Sequence, residues 1–469
     1  MAQGKFVRVV SQPQLLALAF GAMVGWSWVA LSGTWIAGAG SLGAMFAFLA
    51  GGTALVFVGL TYAELASAMP QAGGEHVYSH RALGSTASFI CTWAILLGYV
   101  SVVAFEAVAL PTVVDYLVPG FSRGYLWTVA AWEVHATWVA VGVIAAIVMT
   151  IVNIVGISTA AKLQGLVVMI VLVSGLAIFG GAVAGGTASN MQPYVQNGAG
   201  GILAILIMVP FMLVGFDVIP QSAEEVNMPF EAIGKVIVLS VVIAVAWYVM
   251  IIAAVALGLS AEERAASSLP TADAASALLG GPWAGKLLVV GGIAGILTSW
   301  NAFLIGGSRA LYALANAGQL PAVFAELHPR FNTPHKAILL IGCLSMAAPL
   351  FGRPALVWLV DAGGFGVVIA YAMVAWSFLV LRRTEPDMER PYRVRQGTFV
   401  GVTALVLSLA ICTLYLPWSP SALVWPAEWA IVICWCAIGM LLLALKPRRS
   451  GGIPTIDRNR RTGDLSSLL

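Results

Sequence analysis

From Val9 to Ala63 the chain runs for more than fifty residues without a charged side chain, and it does so again from Leu163 to Phe216. About 20 apolar residues carry an α-helix across the hydrocarbon core of a bilayer. Each stretch is therefore too long for one crossing and suits two, joined by the glycine-rich turns at Gly38–Gly43 and Gly185–Gly201. Inside lipid the backbone must satisfy its own polar groups, which leaves helices as the spanning elements of such a chain. Composition agrees: of 469 residues 60% are hydrophobic and 9% charged, against about 25% charged in soluble domains. Soluble enzymes, nucleic-acid binders and secreted disulfide scaffolds are excluded together, because the chain lacks a polar exterior, a basic patch and paired cysteines. The expected class is an all-α integral membrane protein.

Apolar, charge-poor stretches that suit a crossing number twelve, at about 14–38, 42–69, 86–118, 137–157, 162–185, 200–222, 234–259, 285–314, 336–352, 355–381, 399–417 and 424–446. Lys5 and Arg8 precede the first, which is too long and uninterrupted for a cleavable signal peptide and is expected to be retained. The N-terminal segment 1–13, the loops after even-numbered helices and the tail hold 19 of the 23 basic residues. Arg123, Arg264, Lys286 and Arg353 alone fall on the opposite face. Because short cytoplasmic loops are rich in Lys and Arg, both termini are expected in the cytoplasm, with the chain multi-pass in the inner (plasma) membrane. The tail, 447–469, reads as a solvated end.

The spans divide into two blocks of five, residues 14–185 and 186–395 with its flanking loops, followed by a pair at 396–446. Five is odd, so two blocks of one fold must lie upside down relative to each other, the inverted-repeat plan of many secondary transporters. That plan, a five-plus-five LeuT-like core, predicts broken helices 1 and 6. Helix 1 carries Gly21, Gly25, Ser27, Ser32 and Gly33; helix 6 carries Pro210, Gly215 and Pro220. A half-helix that starts at a break presents free N–H groups to an anion, while carbonyls left on the other half suit a cation. Two facing breaks then form a site for a small molecule bearing both charges. The alternative is that the glycines serve close helix packing, as Gly21-x-x-x-Gly25 would.

Three motifs resemble one family. Phe211-Met-Leu-Val-Gly-Phe-Asp217, continuing to Ala223-Glu224-Glu225 and Pro229, is similar to the helix 6 signature of the amino acid/polyamine/organocation (APC) permeases. Ala63-Glu64-Leu65 with Met69-Pro70-Gln71-Ala72-Gly73-Gly74 resembles the end of their helix 2. Gly307-Ser308-Arg309 to Pro321, then Phe331-Asn-Thr-Pro334, resembles helix 8 and the loop beyond it. The resemblance implies a permease, a symporter or antiporter that moves a small amino acid or related amine by alternating access. It implies substrate contacts at Met23, Val24, Gly25 and Ser27 on helix 1 and at Phe211, Gly215 and Phe216 on helix 6. Arg309, Glu64, Glu224 and Glu225 would be gate or structural ion pairs near the cytoplasmic helix ends.

Two departures concern the substrate. Where the family has small residues after the first break, this chain has Gly25-Trp26-Ser27-Trp28-Val29. Such bulk narrows a pocket, although an aromatic face attracts ammonium groups, which makes Trp26 or Trp28 a candidate contact unless they serve packing. The other is Glu106, near the middle of helix 3 with no cation close in sequence. A carboxylate at that depth costs roughly 2.5–3.5 kcal/mol to insert, so Glu106 is expected to hold a proton or an ammonium group. Asp217 is expected to cap or brace helix 6, and Asp361 and Asp115 to be solvated near the outer surface.

Coupling is open between H+, Na+ and exchange of one substrate for another without an ion. The lysine that some family members carry partway along helix 5 is missing, its place falling near Val171, and Lys162 is too shallow to replace it. Thr298 and Ser299 on helix 8 are similar to the hydroxyl pair that binds sodium in symporters of this fold. Gly38-Ala-Gly40-Ser-Leu-Gly43 matches a dinucleotide fingerprint but follows no strand. His76 and His80, near an expected loop, lack a carboxylate partner for a metal, and Cys91, Cys343, Cys412, Cys434 and Cys436 read as small buried hydrophobes. No cofactor, metal or nucleic acid is implied, and an enzyme is the poorer class. The partners are a small-molecule substrate and membrane lipid. Rivals to an amino acid carrier are a carrier of organic amines and a transporter-like receptor that binds without transporting.

Overall fold

A computed structural model describes residues 11–71, 73–156, 160–221 and 229–444. Lys5, Arg8, Glu224, Glu225, the side chain of Lys162 and the tail 447–469 lie outside the described residues. The chain forms α1 (Gln12–Met23), α2 (Ser27–Ala30), α3 (Ser32–Ala39), α4 (Ser41–Ala68), α5 (Glu75–Leu83) and α6 (Ser85–Leu117). After a hairpin of β1 (Tyr125–Val129) and β2 (Trp132–His135) come α7 (Ala136–Val155), α8 (Ala160–Gly185), α9 (Gly198–Leu206), α10 (Val209–Met212) and α11 (Val218–Gln221). The remainder is α12 (Phe230–Gly258), α13 (Ala261–Ala266), α14 (Pro270–Leu278), α15 (Pro282–Asn316), α16 (His335–Ala347), α17 (Ala355–Thr384), α18 (Gly397–Leu414) and α19 (Ala427–Ala444). Among the described residues ten helical stretches are long and apolar enough to cross a membrane, and Gly198–Met212 and His335–Phe351 are shorter apolar ones.

The long helices α6, α12, α15 and α17 surround the broken segments. Helix α4 packs on α12, α6 on α15 and α17, and α7 on α16, with α1 against α11, α12 and α15. Helix α6 is enclosed along almost its whole length, whereas α18 and α19 are mostly outward-facing. The outward faces of α7 and α8 carry Ile144, Val148, Ile151, Leu166, Val173 and Leu176, apolar side chains that suit lipid rather than water.

Several expectations need correction. The fold is not purely helical: Thr128 pairs with Glu133 and Val129 with Trp132 across a two-residue turn. Ala130 and Ala131 both have positive φ there, 46° and 63°, the turn geometry that matches strand twist. The aromatic and β-branched residues of this stretch favour strands. The Trp127 indole donates to the Leu350 carbonyl, 2.9 Å. The first outer turn contracts from Gly38–Gly43 to one residue, Gly40 (φ 79°), whose missing side chain lets the 193–195 backbone approach; Leu42 and Gly43 N–H both donate to the Tyr194 carbonyl, at 2.9 and 3.0 Å. His76 and His80 lie on α5, which begins directly after the 69–74 connection. Of the cysteines only Cys91 is buried, while Cys343, Cys434 and Cys436 are exposed because they face outward from the bundle. Asp361 is buried rather than solvated, shielded by the last span, which sets Glu428 beside it.

Candidate functional site

The first span is interrupted over residues 24–26, between α1 and α2. Gly25 gives that segment its small size and Ser27 restarts the helix. The exposed end of α1 is held from α12, where the Tyr248 hydroxyl donates to the Met23 carbonyl at 2.7 Å. With that proton committed, the Ser27 hydroxyl donates to Tyr248 at 2.7 Å. A buried backbone group left unpaired costs several kcal/mol, and this pair of hydroxyls removes one such cost.

The sixth span is interrupted over residues 213–217, between α10 and α11. Gly215 has φ 136°, in the region that favours glycine. Its N–H donates to Asp217 Oδ1 at 2.7 Å, and Tyr99 on α6 donates to Asp217 Oδ2 at 3.0 Å. Asp217 therefore braces this break. The two breaks touch, since a Cβ on Gly215 would lie 2.8 Å from Ala22 Cβ and 2.9 Å from the Met23 amide nitrogen.

Beside this junction lies a small cavity. From α1 and the first break come Met23 and Gly25, from α2 Ser27, from α6 Phe105 and Glu106, and from α10 Phe211. Ser299 and Phe303 of α15 close it. Glu106 is 1% exposed. The Ser299 side chain and the Trp26 backbone act on its carboxyl, yet Oε2 has no partner among the described residues. A Cβ on Gly25 would overlap Glu106 Oε1 and stand 2.9 Å from Ser299 Cβ. The glycine is what lets the carboxyl reach the broken backbone.

Of the positions expected to contact substrate, Met23, Gly25, Ser27 and Phe211 line the cavity, with Glu106 and Ser299 beside them. Val24, Trp26, Gly215, Phe216 and Thr298 are off the lining. Trp26 is fully buried with its ring pressed into the notch left by Gly292 on α15, so it wedges the break instead of facing the cavity. Phe216 packs between Tyr62 and Tyr371, with ring centroids at 5.3 and 5.4 Å. Thr298 donates toward the Gly295 and Gly21 carbonyls, at 3.0 and 3.3 Å. Val171 is buried on α8.

The sequence reading missed Tyr248, Tyr99, Phe105 and Phe303; nothing along the chain marks which aromatic residue of an apolar span turns inward. Glu64 is buried and held by Arg382 at 2.5 Å and Arg390 at 3.0 Å, while the Val394 N–H donates to it at 2.8 Å. Arg309 is on α15.

A family model described as an amino acid permease matches residues 10–443. The chain is 26% identical over 384 residues to the branched-chain amino acid permease BcaP of Bacillus subtilis (strain 168), covering 81% of this chain and 82% of that protein. It is 24% identical over 445 residues to the methylthioribose transporter of the same organism, covering 94% of each. It is 30% identical over 359 residues to the vacuolar cationic amino acid transporter 4 of Arabidopsis thaliana, covering 72% of this chain and 57% of that protein.

Proposed function

The chain belongs to the amino acid permease family, and on that premise we propose that it moves a small amino acid or a related amine across the membrane by alternating access. It is a transporter and not an enzyme. The observation that carries the substrate assignment is Glu106, whose Oε2 is buried and without a partner among the described residues, beside a cavity bounded by both helix breaks. A charge at that depth needs a proton or a cation. A substrate ammonium group meets that need, and the amide ends of the half-helices complement a carboxylate. Phe105, Phe211 and Phe303 keep the cavity narrow and apolar elsewhere, which suits a short side chain. The relatives, which include a branched-chain amino acid permease and a cationic amino acid transporter, support this class.

The transport cycle rests on a twelve-span chain with a five-plus-five inverted repeat. The supporting observation is the packing of α4 on α12, α6 on α15 and α7 on α16, each pair holding equivalent places in the two blocks, with the two broken spans in mutual contact. The basic-residue distribution supports cytoplasmic termini and an inner-membrane setting. Between substrate turnovers Glu106 holds a proton, which the substrate ammonium group displaces, so that uptake is coupled to proton movement in the opposite direction.

A thermal-shift screen of amino acids and amines on the purified protein identifies the substrate, because a bound ligand raises apparent stability by mass action. Counterflow in proteoliposomes then tests transport. Accumulation of label against an unlabelled interior is expected, and binding without counterflow would make the chain a receptor. Glu106→Gln is expected to abolish pH-dependent uptake; an unchanged pH profile would remove Glu106 from coupling.

A further inference from the structure

A second pair of buried acids lies off the cavity lining, one at the break in the sixth span and one where α5 begins. Glu75 opens α5, and Asp217 is the last residue of the break, just before α11. Both are fully buried. The Tyr99 hydroxyl lies 3.4 Å from Glu75 Oε1 and 3.0 Å from Asp217 Oδ2. Tyr62 of α4 donates to Glu75 Oε1 at 3.3 Å, and the Gln221 amide of α11 donates to Glu75 Oε2.

Counting protons shows what is missing. A phenol donates one hydrogen bond and accepts others, so Tyr99 cannot donate to both carboxylates at once. If Tyr99 serves Asp217, the contact with Glu75 is completed only when Glu75 carries a proton and donates it to the Tyr99 oxygen. With both acids ionised the cluster is one proton short. The groups acting on the pair are Tyr62 from α4, Tyr78 from α5, Cys91 and Tyr99 from α6, and Tyr371 from α17. His76, next to Glu75, turns instead to the Ser88 hydroxyl at 2.7 Å. None of these brings a cation. Tyr78 OH, Tyr371 OH and Gln221 Oε1 are buried without partners among the described residues, so the cluster has polar capacity beyond its internal bonds. Burial, with the Asp217 charge adding to it, pushes the Glu75 carboxyl well above the ordinary carboxylate range.

We propose that Glu75, Tyr99 and Asp217 form a proton-binding site, distinct from Glu106, that sets the state of the sixth-span break. With Glu75 protonated, its O–H donates to Tyr99 and Tyr99 donates to Asp217, which holds the Gly215 N–H. When Glu75 loses its proton to water, the Tyr99 hydrogen turns to the Glu75 carboxylate and Asp217 loses that donor. The brace on the break weakens. The site thus links protonation to the segment that contacts the first span.

The link to transport rests on the proposed permease function, while the proton site itself does not. Infrared pH-difference spectra of the purified protein in nanodiscs, recorded in a Glu106→Gln background, read protonated carboxyls directly. A carboxyl C=O band at neutral pH, lost on alkalinisation and missing in Glu75→Gln, is expected. A Glu75→Gln spectrum identical to its parent would overturn the proposal. Should that variant not fold, Tyr99→Phe serves: its band midpoint moves if Tyr99 bridges the acids, and an unmoved midpoint overturns the proposal. In proteoliposomes with Glu106 intact, the ratio of pH-gradient-driven uptake to counterflow is expected to fall at least tenfold in Glu75→Gln, and an unchanged ratio would overturn the link to the break. If the wild type shows no counterflow of any amino acid, the transport reading fails while the infrared result still decides the proton site.

Discussion

Tyr248 donates its hydroxyl proton to the carbonyl of Met23 across 2.7 Å, and so a residue of α12 holds the carbonyl end of a break in α1, 225 positions earlier in the chain. The same hydroxyl receives Ser27 from beyond the break. Both sides of the interruption are thereby tied to one side chain. A net hydrogen bond is worth about 0.5–1.5 kcal/mol, so Tyr248→Phe is expected to weaken substrate binding by roughly two- to tenfold at 1.4 kcal/mol per decade. Titration calorimetry on the purified variant checks this, and an unaltered affinity would show that the latch does not shape the site.

Gly25→Ala places a methyl group where Glu106 Oε1 now lies, with Ser299 Cβ 2.9 Å away. Neither the α6 nor the α15 backbone can recede cheaply in a packed bundle, so the carboxyl must swing from the break. Loss of ligand-induced thermal stabilisation is expected, with the ligand-free melting temperature changed much less. A normal ligand shift would mean that Glu106 does not need this approach.

Glu64 anchors the end of α4 to α17 through Arg382 and to the following loop through Arg390. Removing one member of a buried ion pair strands the others and costs about 3–5 kcal/mol. Glu64→Ala should lower the thermal midpoint in detergent strongly while leaving substrate selectivity alone. A midpoint equal to the parent's would show that water screens the pair.

His76 is held neutral by burial, with His80 adding to the effect, and its pKa is lowered from the ordinary 6.5 to about 4. Between those values the unfolded chain binds a proton there that the folded one does not, so this contribution to stability declines as pH falls from 6.5 toward 4. His76→Asn is expected to flatten that part of the stability–pH curve, measured by thermal unfolding at successive pH values. An identical slope in the variant would assign the effect to other groups.

How much of this was legible along the chain depends on what the bilayer demands locally. Ten of the spans were readable because crossing lipid needs a fixed length of apolar residues. The interruptions were readable at Gly25, Gly215 and the prolines near them because those residues weaken a helix wherever they stand. Orientation within a span was not readable: apolar residues lie on every side of α6, so periodicity could not say that Phe105 faces the cavity, and the first span gives no sign that Trp26 turns to Gly292. Glu75 escaped notice because it sits in a Gly-Gly-Glu-His stretch that reads as a polar loop; its burial is made by Tyr62, Tyr99 and Gln221 from three other segments. Asp361 was misread for the same reason, since its cover comes from the last span.

The central claim is that two interrupted helices meet and hold a solute beside Glu106. An electron cryomicroscopy map of the protein in nanodiscs, saturated with the ligand chosen by the thermal screen, tests it most directly. The account predicts breaks at residues 24–26 and 213–217, with the ligand amine against Glu106 and its carboxylate toward the freed amides. Continuous first and sixth helices, or a ligand seated elsewhere, would contradict it.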